Sequence, residues 1–282
     1  MEPLILSKAD VMNILPDRAS DTHKGDFGRL LLLCGSKGYT GAAALSAMGA
    51  LRSGAGLVYL GVPDSIYPIV AMKLTEPVVF PLKDSDGMLS VDAIPEIEAM
   101  LARMDAVLIG PGLGQSEGTL AVVKYILEHF TGPVVLDADG INVVKSHINV
   151  LRGRTNITIV TPHDGEFLRL GGTFSDNRAT DAMKLSQDLG VILVLKGNRT
   201  VITDGTYCYM NTTGNPGMAV GGSGDVLAGI IVGLLGQKIS PLKAAACAVW
   251  LHGAAGDLCA EQIGQYGMLP SDMLHILPRL LK

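Results

Sequence analysis

Short runs of consecutive apolar residues recur along the chain, each followed by a turn and then a stretch with helical periodicity. The runs at 29–33, 57–62, 78–80, 106–109, 133–136, 157–160 and 191–195 predict strands. Several are apolar throughout, as strands covered on both faces must be. Helical stretches are predicted at 41–53, 93–102, 117–130, 166–170 and 178–189. This alternation implies right-handed βαβ crossovers and an α/β fold: a doubly wound, mainly parallel sheet with helices on both faces. After Lys196 the pattern changes. Residues 200–203 and 207–209 flank Asp204-Gly205, a strong hairpin signal, and a polar glycine-rich loop follows at 211–224. Three helices, 226–235, 242–262 and 270–281, close the chain. Neither linker nor repeat interrupts it, so residues 1–282 read as one domain.

Composition narrows the picture. The 282 residues are 48% hydrophobic and only 17% charged, which excludes a disordered chain. With 27 acidic against 22 basic residues the net charge is −5, and no basic block suggests a nucleic-acid or anionic-membrane partner. Cys34, Cys208, Cys247 and Cys259 lack metal-ligand spacing and read as reduced core thiols. A charged N-terminus and the lack of a long apolar stretch lead us to expect a soluble, cytoplasmic protein.

In an open parallel sheet, ligands bind beyond the carboxyl ends of the strands. The most distinctive loop there is NTTGNPGMAVGGSGDVLAG, 211–229. Gly221, Gly222, Ser223 and Gly224 precede a helix whose first turn holds Asp225, so exposed amides and the helix dipole form a candidate anion hole. A carboxylate beside it is placed to take a proton from a substrate hydroxyl while the amides steady a transferring phosphoryl group. A flexible loop capped by Asp225 explains an isolated GGSGD equally well. In VLKGNRTVITDG, 194–205, Lys196 and Arg199 follow a buried strand, where they are phosphate-binding cations or ordinary surface charges.

VLIGPGLGQSEG, 107–118, brings Gly110, Gly112 and Gly114 directly after a strand, a partial dinucleotide fingerprint or simply a tight turn. Asp137 and Asp139 end one strand, and His163, Asp164 and Glu166 end another. Carboxylates there commonly hold Mg²⁺ through water, making Asp137, Asp139 and Glu166 metal candidates; helix capping by Asp139 and Asp164 is the alternative. His163, after a proline at a strand exit, is read as a ligand contact. In GSKGYTGAAALSAMGALRSGAG, 35–56, small residues imply close helix packing or a ligand against the backbone. No P-loop, GxSxG elbow or HExxH is present.

The order and spelling of these motifs carry more than each alone. From HKGDFGRLLLLCGS through TGAAALSAMGALRSGAGLV, GPGLG, LDADGIN, TPHDGEF and KGNRT to NPGMAVGGSGDVLAGII, the chain resembles the ADP-dependent (S)-NAD(P)H-hydrate dehydratases of the ribokinase-like superfamily. The resemblance spans nearly the whole chain. It implies that ADP (ATP in eukaryotic relatives) drives dehydration of the S-epimer of hydrated NADH or NADPH, giving NAD(P)H, AMP and phosphate. It makes KGNRT (Lys196, Gly197, Asn198, Arg199 and Thr200) the nucleotide stretch and Gly224 the AMP contact. Asp225 becomes the acid facing the hydrate, with Ala43, Gly112 or Gly114, and His163 as further substrate contacts. Val220 and Ser223 stand where many relatives have Thr, and Cys34 where Gly is frequent. Two rivals remain: a small-molecule kinase on the same fold, accumulating a phosphorylated product, and a nucleotide-binding sensor with no need of Asp225. The resemblance also implies Mg²⁺, a homotetramer and a separate epimerase, for which this chain has no room. Residues 244–251 show no polar face, which marks either an internal helix or a subunit interface.

Overall fold

Alternate side chains of the central strands enter two separate apolar cores. Leu30, Leu32, Leu108, Val135, Ile159 and Val194 face one; Leu31, Leu33, Ile109, Leu136, Val160 and Leu195 face the other. The computed structural model describes residues 2–281. Its strands are β1 (Arg29–Leu33), β2 (Leu57–Pro63), β3 (Val78–Leu82), β4 (Asp84–Ser85), β5 (Met88–Leu89), β6 (Ala106–Ile109), β7 (Val134–Leu136), β8 (Thr158–Val160), β9 (Ile192–Leu195), β10 (Val201–Thr203) and β11 (Cys208–Met210). Nine of them form one sheet in the order β11-β10-β9-β8-β7-β6-β1-β2-β3, while β4 and β5 make a separate small hairpin. The sheet is parallel from β9 to β3, and β10 runs antiparallel to both its neighbours. The hairpin around Asp204-Gly205 is as predicted, shifted by one residue.

Helices cover both faces. Helices α1 (Lys8–Ile14), α2 (Thr40–Arg52) and α3 (Tyr67–Lys73) contribute to the first core. Helices α4 (Ile94–Leu101), α5 (Glu117–His129), α6 (Asp139–Val144), α7 (Asn149–Arg152), α8 (Asp164–Arg169) and α9 (Arg178–Leu189) line the second. Helices α10 (Ser223–Gly236), α11 (Pro241–Gln262) and α12 (Pro270–Leu280) return to the first. Ala244 to Val249 and Leu251 are all buried inside the chain itself, so the missing polar face of α11 needs no subunit interface to explain it. Among the described residues, no helix is long and apolar enough to cross a membrane.

One crossing positions the site. Helices α2 and α10 pack in parallel through small residues. A Cβ on Gly49 would lie 2.6 Å from the Val226 carbonyl, and Cβ atoms on Gly229 and Gly233 would strike Ser46 and Ser53. Bare glycine surfaces let the backbones approach, so the start of α10 lies against the middle of α2, with Gly222 beside Leu45 and Val226 beside Gly49. The strand order reverses at the β1–β6 crevice, the kind of position where open α/β sheets bind ligands.

Candidate active site

The loops leaving β1 and β6 are tied across the crevice. The Gly35 amide donates to the Pro111 carbonyl at 2.8 Å, and Ser36 Oγ donates to the Gly112 carbonyl at 2.7 Å. Gly112 and Gly114 adopt φ of 63° and 74°, and Cβ atoms there would crowd Ala42 and Tyr39, or Met88. Protein packing alone therefore accounts for both glycines. Ala43 is fully buried in α2 with its methyl facing Gly35, so the expected direct contact there has no accessible surface.

The glycines of the 221–224 loop differ from one another. Gly222 has φ of 98° and no room for a Cβ beside Leu45. A Cβ on Gly221 would meet nothing within 4 Å, and one on Gly224 only Lys196 Nζ at 3.7 Å. Neither has a positive φ, so the protein itself gives no reason for their bareness. Open space over bare amides at a helix start suits an anion.

Asp225 is the third residue of α10, where the helix dipole favours a negative charge. Burial nevertheless pushes its carboxyl up to about 6, with Asp137 and Asp139 adding repulsion and Lys196 opposing. It stays mostly ionised at neutral pH, as expected, but as a far stronger base than an exposed aspartate.

Asp137 is buried at the end of β7, and its Oδ1 accepts from Lys196 Nζ at 2.8 Å and Thr161 Oγ1 at 2.6 Å. Lys196 Nζ also lies 3.9 Å from Glu166 Oε2. Burial pulls the Lys196 ammonium down, but Asp137 and Glu166 outweigh it and the net movement is upward. Burial likewise raises Glu166, against Lys196. Asp139 is engaged elsewhere: its carboxylate accepts from the Gly114 amide at 2.9 Å and Gln115 Nε2 at 3.1 Å. Between the two acids Ala138 holds φ of 50°, a strained conformation that turns them toward different loops. Among the described residues, no group of three or more His, Cys, Asp or Glu is placed to hold a metal ion.

His163, not Asp164, caps α8: its Nδ1 accepts from the Gly165 and Glu166 amides at 2.9 and 3.3 Å. Its side chain is 55% exposed, leaving Nε2 near the surface and 3.4 Å from Glu166 Oε1. Asp164 instead bonds Arg178, whose Nη2 also donates to the Lys196 carbonyl at 2.7 Å and so fixes the exit of β9.

Beside this charged cluster opens a cleft of about 640 Å³, a size suited to a nucleotide. Lys196, Gly197, Asn198, Arg199 and Thr200 form one wall, while Ser223 and Gly224 stand at its inner end. Thr200 Oγ1 donates to the Gly197 carbonyl at 3.0 Å and closes the KGNRT loop on itself. The opposite wall comes from residues read in the sequence only as a polar loop: Asn211, Thr213, Gly214, Asn215 and Met218. His252 of α11 completes it, with Nε2 3.3 Å from Ser223 Oγ. Burial lowers His252 to about 4, so its imidazole is neutral. No motif announces His252, because only the fold brings α11 beneath Ser223.

A doubly wound sheet with a glycine-rich helix start and an acid beside a nucleotide-sized cleft defines a ribokinase-like protein. The chain belongs, more narrowly, to the NAD(P)H-hydrate dehydratase family, whose profile matches residues 30–279. It is 44% identical over 285 residues to the bifunctional NAD(P)H-hydrate repair enzyme Nnr of Moorella thermoacetica, covering 99% of this chain and 54% of that protein. It is 36% identical over 274 residues to the ADP-dependent (S)-NAD(P)H-hydrate dehydratase of Bacillus subtilis, covering 95% of this chain and 94% of that one. A solved structure of the ADP/ATP-dependent NAD(P)H-hydrate dehydratase from Bacillus subtilis, co-crystallised with ATP/Mg²⁺, superposes with a TM-score of 0.82 at 33% identity, covering 99% and 98% of the two chains. The chain spans about half the length of its bifunctional relatives.

Proposed function

We propose that this chain repairs nicotinamide cofactor by using ADP to dehydrate the S-epimer of NADH or NADPH hydrate. The observation that carries the proposal is a raised, partly buried carboxylate, Asp225, on the same helix start whose bare amides face the nucleotide cleft. Hydroxide is a poor leaving group at neutral pH, and phosphate a far better one. The conjugate acids differ by about ten pKa units, at most ~13 kcal/mol of leaving-group free energy.

The steps balance as a transfer followed by an elimination. Asp225 accepts the proton of the C6 hydroxyl as its oxygen attacks the β-phosphorus of ADP. The bond to AMP breaks, while the amides of Gly221 to Gly224 and the Lys196 ammonium steady the charge in transit. The ring nitrogen's electron pair then expels phosphate from C6, and transfer of a C5 proton to water restores the ring double bond. KGNRT and Gly224 hold the nucleotide, and His163, with the 112–114 loop, faces the hydrate. The names of the Bacillus relatives support the substrates and the nucleotide.

Mg²⁺ fits as a companion of the nucleotide's phosphates rather than as the resident of a carboxylate cage. Asp137 and Asp139 already accept hydrogen bonds from the protein, so with Glu166 they would reach the ion only through water. When bound, the ion neutralises charge on the diphosphate.

Residues 1–282 act as one cytoplasmic domain within a homotetramer, alongside an epimerase activity that interconverts the hydrate epimers. The bifunctional naming of the Moorella relative fits such a pairing. A product assay with hydrated NADH, ADP and Mg²⁺ tests the activity. Recovery of NADH absorbance with equal AMP and phosphate is expected, and a persistent phosphorylated hydrate would instead identify a kinase.

A further inference from the structure

The outer wall of the cleft has no fold of its own. Residues 211–219 hold one short 3₁₀ turn, Pro216–Met218; the Asn211 amide donates to the Thr200 carbonyl and Gly217 packs on Gln265 and Met268, while the stretch between leans on α11. A single stripe of that helix receives it. Thr213 Oγ1 donates to the Trp250 carbonyl at 3.0 Å; Gly253 has no room for a Cβ against Thr213, nor Gly256 against Met218. One turn further along, Asp257 ends the stripe. One carboxylate oxygen accepts from the Gly214 amide at 2.8 Å and the other from Asn215 Nδ2 at 3.1 Å. Asn215 cannot turn its amide over without loss, because its Oδ1 already accepts from the Gly217 amide at 3.0 Å.

We infer that Asp257 is a positioning residue for the nucleoside diphosphate: it does not line the cleft, but its two acceptor oxygens fix the wall that does. Both partners are donors, so the position demands two acceptors. A carboxylate supplies them, and an amide of the same shape supplies one acceptor and a second, opposing donor. An undocked wall leaves the KGNRT loop, Asn211 and Ser223 in place but opens the side of the cleft formed by Thr213, Gly214 and Met218. The consequence falls on nucleotide affinity and leaves the hydrate and its chemistry alone. This inference rests on the reading of the cleft as the ADP site.

The test uses the full chain and ADP itself. Titration calorimetry on the unsubstituted protein comes first: no ADP binding there defeats the reading of the cleft, independently of Asp257. Given binding, Asp257→Asn is expected to weaken it roughly tenfold, the effect of losing one hydrogen bond to a charged acceptor and setting two donors against each other. The KM for ADP should rise in proportion, with kcat and the KM for the hydrate within about twofold (~0.4 kcal/mol) of the original. Asn215→Asp alone sets two carboxylates face to face and should weaken binding as well. The double variant, Asn215→Asp with Asp257→Asn, restores every donor–acceptor match: Asn at 257 accepts from the Gly214 amide and donates to Asp at 215, which still accepts from Gly217. Recovery of ADP affinity in the double variant supports the inference. Unchanged affinity in Asp257→Asn, or additive losses in the double variant, overturns it.

Discussion

At the scale of single residues, two titrating groups a few ångströms from one cleft pull stability in opposite directions. Asp225 sits near 6 in the folded chain against an ordinary value near 4, so the native state binds its proton more tightly. That stabilisation is present below about pH 4 and is lost as pH rises through 6; at neutral pH the ionised group costs up to about 3 kcal/mol. Asp225→Asn should therefore raise Tm at pH 7.5 while lowering kcat about 10²–10⁴-fold, a stability gain at the expense of function. In the unsubstituted enzyme kcat should fall as pH drops through about 6. A kcat that survives the substitution removes Asp225 from the role of base. His252 behaves in reverse: lowered by burial to about 4, it supports the fold above about pH 6.5 and loses that support as pH falls toward 4. The two trends overlap and offset one another between pH 4 and 6. Urea midpoints at pH 5 and 7.5 should expose each trend once the other is removed by Asp225→Asn or His252→Gln. The cations beside them also part ways. Arg199→Ala should raise the KM for ADP and spare stability, because Arg199 is exposed. Lys196→Ala strands buried Asp137 and should destabilise the fold by about 3–5 kcal/mol as well, making it the poorer probe of binding.

Among elements, the decisive contact is the crossing of α2 and α10, where identical chemistry has opposite meanings at different positions. Gly229→Ala puts a methyl against Ser46 and should cost about 1–3 kcal/mol in urea unfolding. Gly221→Ala meets nothing in the protein and should leave unfolding unchanged while lowering turnover, since its methyl enters the space proposed for the phosphoryl group. Equal unfolding losses in both would show that the open space over Gly221 is filled by protein. The strands of this scaffold were legible because burial on both faces writes uninterrupted apolar runs, as in Leu30–Leu33 or Val191–Leu195. Boundaries moved where caps decide them: α8 begins two residues earlier than its periodicity suggests because His163 caps it. Short helices such as α1, α3, α6 and α7, of seven residues or fewer, were illegible because one or two turns carry no reliable period. Of the site, glycines and charges at strand exits were readable, but glycine alone does not distinguish a ligand's approach from a neighbour's. Ala43, Gly112 and Gly114 are packed by protein, whereas Gly221 and Gly224 are not. The wall at 211–219 and its support at Asp257 stayed hidden, since a donor–acceptor match across some forty residues leaves no local pattern.

For the whole molecule, the burial of α11 within the chain removes the sequence argument for an interface, and the homotetramer stands on family resemblance. Exposed Ile263, Tyr266 and Leu269, ahead of α12, give assembly an apolar surface to use. Light scattering at micromolar concentration should give a fourfold multiple of 29.5 kDa; a monomer mass alone defeats the proposal. Excess EDTA should abolish turnover without altering the unfolding midpoint, because among the described residues no group of His, Cys, Asp or Glu is placed to cage an ion. The position of β1 has a further consequence during synthesis. Of the strands described it comes earliest in the chain, yet it lies inside the sheet between β2 and β6. On the ribosome β2 can pair with it promptly, but β6 emerges roughly seventy residues later, some 4–15 s at ordinary elongation rates. Through that interval one edge of β1 waits with its N–H and C=O groups unpaired and its leucines incompletely covered, a natural client surface for a holdase and a point of vulnerability to aggregation. Stalled nascent chains ending before residue 106 should accordingly be protease-sensitive, and protection should appear only in chains long enough to expose both β6 and the α10 segment that covers β1.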